Sequence, residues 1–168
     1  MGERGDERLR GVAGWLAFLV VIFFLLSPAR TLITTWIELA DAERNAPGLA
    51  HFPLWRTIKL YTWSMAFAAS ALSIYTGWRL GSVYRPSSVR LAIAALWFLG
   101  PGIVVLDCVV ASLAFGASLL LDARGWSDLV RGVLAALVWT CYLGISRRVA
   151  NTYYGDEAAR APGESGAG

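Results

Sequence analysis

The stretch GVAGWLAFLVVIFFLLSPARTLITTWIELA, residues 11–40, decides the fold class. From Gly11 to Ala29 it has no charged side chain, and only Arg30 and Glu38 are charged in the rest. A helix needs roughly 20 apolar residues to cross about 30 Å of hydrocarbon, so this run is long enough on its own. Leu32, Ile33, Trp36, Ile37 and Leu39 continue the apolar pattern at helical spacing beyond Pro28. Pro28 is therefore read as a kink rather than an end, with neighbouring helices satisfying the carbonyl it frees. The charged start, the apolar run and Ser27-Pro28-Ala29 loosely imitate a cleaved signal peptide. Three acids among the first ten residues cancel the basic start, and Pro28 sits badly at a cleavage site, so a retained helix is expected.

Three further runs extend the pattern and predict helices over about 55–80, 91–121 and 128–146, after a first helix over about 11–40. With 57% hydrophobic and 16% charged residues, the chain has more apolar surface than one small water-soluble core can hide. Backbone amides in lipid must be paired within their own segment, which makes helix the default form. No alternation of polar and apolar residues, as a transmembrane barrel requires, runs through the chain. The expected fold is all-α, an integral membrane four-helix bundle spanning residues 11–154. A cytoplasmic N-terminus, 1–10, precedes it, and a disordered cytoplasmic tail, 155–168, follows. In the second helix Ala69, Ser73, Gly77 and Gly81 recur every four residues, and in the fourth Gly132, Ala136, Thr140 and Gly144 do the same. Such small-residue stripes let helices approach closely. Gly100-Pro101-Gly102 predicts a kink in the overlong third helix.

Basic residues set the orientation. The N-terminus, the middle loop and the C-terminal flank hold nine arginines, against Arg44, Arg56, Lys59, Arg124 and Arg131 at the other two loops and their helix mouths. The positive-inside rule then predicts both termini in the cytoplasm, N-in and C-in. Trp36, Trp55 and Trp126 would mark the outer interface, and Trp15 and Trp78 would lie nearer the inner one. Arg56 and Lys59, at the mouth of the second helix, are expected to snorkel to the headgroups. The net charge of +3 is not gathered into a stripe, which argues against nucleic acid as a partner. Cys108 and Cys141 fall inside predicted spans and read as small apolar residues rather than a disulfide framework. His51 is the only histidine, so neither a bis-histidine haem nor a His-rich metal site can form, and no cofactor is expected.

Asp107 is the one acid well inside a span, and leaving it unpaired in hydrocarbon costs at least about 3 kcal/mol. Sixteen residues separate it from Leu91, and the same step from Gly11 along the parallel first helix reaches Ser27, one turn before Arg30. An intramembrane Asp107–Arg30 pair is the resulting candidate site. Ser27, Ser70, Ser73, Thr140, Cys141 and Tyr142 are polar groups that could support it. The plain reading is a buried ion pair or hydrogen-bonded acid that fixes helix register, and a further one has Arg30 reaching the outer headgroups while Asp107 bonds to hydroxyls or water. The functional reading is a proton or ion site beside a kinked helix, which retained function in an Asp107→Asn variant would exclude.

Gly14-Trp15-Leu16, Ser27-Pro28-Ala29-Arg30, Leu54-Trp55 and the block from Tyr142 to Val149 together resemble the bacterial membrane family catalogued as domain of unknown function 2569. The closing block is the most specific part. The family expects an aromatic pair, Ser, Arg-Val and a final Thr-aromatic, and here Leu143 replaces the second aromatic while Thr152-Tyr153 supplies the ending. The resemblance reaches about Tyr153 and implies four helices in the bacterial inner membrane. It brings no activity, cofactor or catalytic residue.

The leading functional expectation is a non-catalytic accessory or interaction subunit, in contact with membrane lipid. It would meet a protein partner or further copies of itself through its small-residue faces, since loops this short leave little room for a soluble active site. The alternative is a small oligomeric transporter or channel using Asp107 and Arg30, which a hydrated cavity reaching Asp107 would favour and dry packing would exclude. An intramembrane enzyme lacks a base, because neither cysteine has a histidine at matching depth.

Overall fold

A proline inside a helix leaves a carbonyl one turn earlier without its donor, and two of the helices here contain one. The computed structural model, which describes residues 14–115 and 123–153, has a π turn just before Pro28 and another around Pro101. Helix α1 runs unbroken over Trp15–Asn45, as Trp15–Val21, a π turn at Ile22–Leu26, and Ser27–Asn45. Helix α2 is Pro53–Ser82. Helix α3 comprises Pro86–Trp97, a π turn at Phe98–Gly102 that contains Pro101, and Ile103–Phe115. Helix α4 is Ala123–Ile145, and the short α5 is Arg147–Tyr153. The described residues contain no strand. The segment 1–13, the expected end of the third helix with its connection to Asp122, and the tail 155–168 lie outside them.

The first helix runs about a turn past its expected end at Ala40, and α4 begins five residues before Asp128. Three stretches, Trp15–Asn45, Pro86–Leu113 and Gly125–Ile145, are long and apolar enough to cross a membrane. Helix α2 is long enough at 30 residues, but it is diluted by hydroxyl-bearing side chains such as Tyr61, Ser70, Ser73 and Thr76. Its place explains this composition. It packs along both α1 and α3 and buries Ala66, Ala69, Ser70, Ser73, Thr76, Gly77 and Leu80. A helix that packs one face against two neighbours can carry small and hydroxyl-bearing side chains on that face.

Packing is dense at one end of the bundle. Leu16, Leu19 and Phe23 of α1, Leu80 of α2, Val89, Ala92 and Ala95 of α3, Leu143 of α4, and Val149 and Tyr153 of α5 form one buried cluster. Trp139 of α4 meets Trp15 and Phe18 of α1, which closes the ring of helices there. The short α5, read from sequence only as a basic exit, folds into this end, where the Tyr153 hydroxyl donates to the Leu80 carbonyl. Burial, and next the neighbouring Tyr84 phenol, push Tyr153 above the ordinary tyrosine range.

Small residues seat the kinks. Ser27 N–H donates to the Ile22 carbonyl, which withholds it from Phe23, and the next residue, Pro28, has no N–H. Ser73 Oγ of α2 takes over by donating to the Phe23 carbonyl at 2.7 Å. One turn along α2, a Cβ on Gly77 would lie 2.9 Å from the Phe24 nitrogen, so only glycine fits without a backbone shift. The second π turn sits on α4 in the same way, with a Cβ on Gly132 lying 3.0 Å from the Pro101 nitrogen. Backbone-to-backbone approach of this kind is how helices associate where lipid is as apolar as the side chains.

Candidate functional site

Beyond the two π turns, the bundle opens. The second half of α1 stays on α2, whereas the second half of α3 stands off from both. Between them lies a cavity of about 490 Å³, reaching from the level of Thr31 and Ala69 to that of Glu38 and Leu54. Thr31, Thr35 and Glu38 share one face of α1 at helical spacing. Thr57, Tyr61 and Thr62 come from α2, and Asp107 comes from α3. Most of the remaining wall is apolar, including Ile58, Met65, Ile103 and Val110.

Asp107 is accessible in this space rather than buried, and its Oδ1 accepts a hydrogen bond from the Tyr61 hydroxyl at 3.2 Å. Ile103, Asp107, Val110 and Ala111 fall on one stripe of α3 and all line the cavity. The phenol supplies one donor to the carboxylate, and the open side of the cavity leaves room for a second partner.

Arg30 does not pair with Asp107. The ion pairs between described side chains are Arg44–Asp41, Lys59–Glu43 and Arg131–Asp128. Arg30 is exposed and lies outside the cavity lining. Its depth fits, since the adjacent Thr31 lines the cavity, but its face does not. The inward residues of α1 run Leu16, Leu19, Phe23, Pro28, Thr31, Thr35, Glu38. Their steps are three, four, five, three, four and three, and the step of five spans the π turn. A regular helix would continue from Phe23 to Arg30 on the same face. The extra residue turns Arg30 away by about 100°.

The other polar groups named from sequence go elsewhere. Ser27 lies partly buried within the kink of α1, and Ser73 caps that kink. Ser70 Oγ is buried without a hydrogen-bond partner among the described residues. Thr140 Oγ1 accepts from Trp97 Nε1 at 3.3 Å, and Tyr142 packs edge-on against Trp139. Cys108 is half-buried and Cys141 exposed, both as free thiols. Tyr61, the actual partner of Asp107, escaped the sequence reading. Its signal was nonetheless present, because a step of sixteen residues back along α2 from Leu80 reaches Ser64, one turn from Tyr61.

Lys59 reaches from its place on α2 toward the end of α1, to the level of Trp55 one turn earlier in its own helix. Its Nζ donates to Glu43 Oε1 at 2.8 Å, and Trp55 Nε1 donates to the same oxygen at 2.9 Å, which ties the end of α1 to the start of α2. Among the described residues no group of three or more His, Cys, Asp or Glu side chains is arranged to hold a metal ion.

No curated protein and no solved structure matches the chain. A family described as protein of unknown function (DUF2569) matches residues 9–154, which takes in all four long helices and the closing segment with α5. The chain belongs to the DUF2569 family.

Proposed function

We propose that this chain is a non-catalytic, multi-pass protein of the bacterial inner membrane that binds a small ligand within the bilayer and serves as an accessory subunit of a larger assembly. Four crossings with both termini in the cytoplasm follow from the arginine distribution. In that orientation the dense end of the bundle faces inward and the cavity lies in the outer half. The observation that carries the reading is the cavity itself, an apolar space of drug-like size with a few convergent polar groups around Asp107 and Tyr61. Among the described residues its walls hold no histidine, cysteine or serine, which supports a binding role over a chemical one.

The cavity also favours the second reading, a small oligomeric transporter or channel acting through Asp107 alone. The buried cluster from Leu16 to Tyr153 closes the other end, so this role requires that end to open.

Native mass spectrometry from mild detergent tests ligand binding. The expected result is a retained small molecule that is lost in an Ala111→Phe variant, whose ring would fill the cavity. A protein that releases nothing and binds nothing contradicts the reading. Orientation is checked by labelling single cysteines, placed at Gly48 and Arg85 in a Cys108→Ser, Cys141→Ser background, in intact cells. Gly48 is expected to react from outside and position 85 only after permeabilisation.

A further inference from the structure

We infer that the cavity takes an organic cation, a protonated amine carried on an apolar body, with Asp107 as the counter-charge. This rests on the proposal that the cavity binds a ligand, and it names the ligand's chemical class.

Three observations converge on it. Among the described residues, every charged side chain that lines the cavity is a carboxylate and none is basic. Two cations that might have neutralised Asp107 are placed elsewhere, since the π turn directs Arg30 to another face and Lys59 pairs with Glu43. Among the described residues Tyr61 is the one side chain that donates to Asp107, whose carboxylate remains accessible from the cavity. A carboxylate at this depth is costly unless a cation or further donors complete its shell.

The walls narrow the class. A bare divalent metal ion is held best by several charged or imidazole ligands, and among the described residues no three His, Cys, Asp or Glu side chains are grouped here. An anion would meet carboxylates and, among the described residues of the lining, no positive charge. An ammonium group, by contrast, can donate to Asp107, with the threonines of α1 also in the lining, while its apolar body lies along Ile58, Met65, Ile103 and Val110. Tyr61 holds the carboxylate in place and keeps one oxygen oriented.

Three probes of one shape and different charge provide the test: phenylbutylamine, phenylbutanol and phenylbutyrate. Binding of each to the full chain in detergent is followed by the shift in thermal unfolding and by intrinsic tryptophan fluorescence. The amine is expected to bind at least about tenfold more tightly than the alcohol, and the acid least. Asp107→Asn should remove the amine's advantage and leave the alcohol unchanged. Ala111→Phe should weaken all three, which separates cavity binding from partition into the micelle.

If the alcohol and the acid bind as well as the amine and Asp107→Asn changes nothing, the cavity binds ligands but the cationic class is overturned. If no probe responds to Ala111→Phe, the cavity is not a binding site and the underlying functional reading fails with it. Tyr61→Phe is the companion variant that keeps the charge, and it should retain the preference for the amine over the alcohol.

Discussion

Replacing Ser73 by alanine is expected to cost about 1–2 kcal/mol, and the size should depend on whether Pro28 is present. Ser73 Oγ donates at 2.7 Å to the Phe23 carbonyl and is almost fully buried between α1 and α2. Removing the hydroxyl deletes a hydrogen bond with a net value of about 1 kcal/mol, and it also strands a buried acceptor, which adds up to about 1–3 kcal/mol. Hydrogen bonds between membrane helices average about 0.6 kcal/mol, which favours the lower part of that range. Pro28→Ala restores an N–H one residue after Ser27. The helix can then return Ser27 N–H to Phe23 or supply the new N–H to it, so Phe23 gains a donor from its own helix. Ser73→Ala in the Pro28→Ala background should therefore cost roughly 1 kcal/mol less than in the native chain. Reversible unfolding in mixed micelles with increasing sodium dodecyl sulfate, followed by circular dichroism, measures all four corners of the cycle. Additivity within about 0.5 kcal/mol would refute the assignment of Ser73 as the cap of the proline kink.

The same titration distinguishes the glycines. Gly77→Ala places a methyl carbon 2.9 Å from backbone and should cost about 1–3 kcal/mol, whereas Gly144→Ala meets nothing within 4 Å and should be neutral or slightly stabilising. Arg30→Gln should leave stability within about 0.5 kcal/mol of native, and a loss like that of a broken buried pair would restore the Arg30–Asp107 contact. Lys59→Ala should cost only about 0.5 kcal/mol, because the Lys59–Glu43 pair is partly exposed and screened. Tyr153 stays protonated in the folded protein above the pH at which an ordinary tyrosine ionises. The folded state then binds the extra proton, so its contribution is full below about pH 10 and is lost as pH rises beyond that. Tyr153→Phe should flatten this alkaline loss of stability, as read from unfolding midpoints against pH.

Much of the architecture was legible because lipid leaves few options. An uncharged run through Gly11–Ala29 with apolar residues continuing past Pro28 can only be a long helix, and the four-residue recurrence of Ser73 and Gly77 marked the face that meets the kink. The fourth-helix stripe was legible in part. Gly132 and Ala136 turn inward and Thr140 meets Trp97, but Gly144 faces open space. The candidate site was legible in depth and not in direction. Counting residues put Arg30 and Asp107 at compatible heights, yet a π turn advances the chain by one residue without extending its face, and nothing in Ile22–Leu26 announces that choice. It leaves the Phe23 carbonyl to a residue of another helix, the Ser73 hydroxyl, and that contact is not visible along one helix alone. The partner of Lys59 was not legible either, because Glu43 comes from the overrun of α1 beyond Ala40, which a hydropathy pattern does not register.

The meeting of Gly100 with Gly132 also has a mechanical consequence. It clamps α3 at its π turn, and the 13 residues of Ile103–Phe115 project from that clamp as a cantilever about 20 Å long. A change of about 10° at the root carries the tip by about 3 Å and Asp107, nearer the root, by about 1 Å, enough to make or break its hydrogen bond to Tyr61. The width of the cavity is thus geared to the angle of one glycine joint, and whatever fills the space between the arms sets that angle.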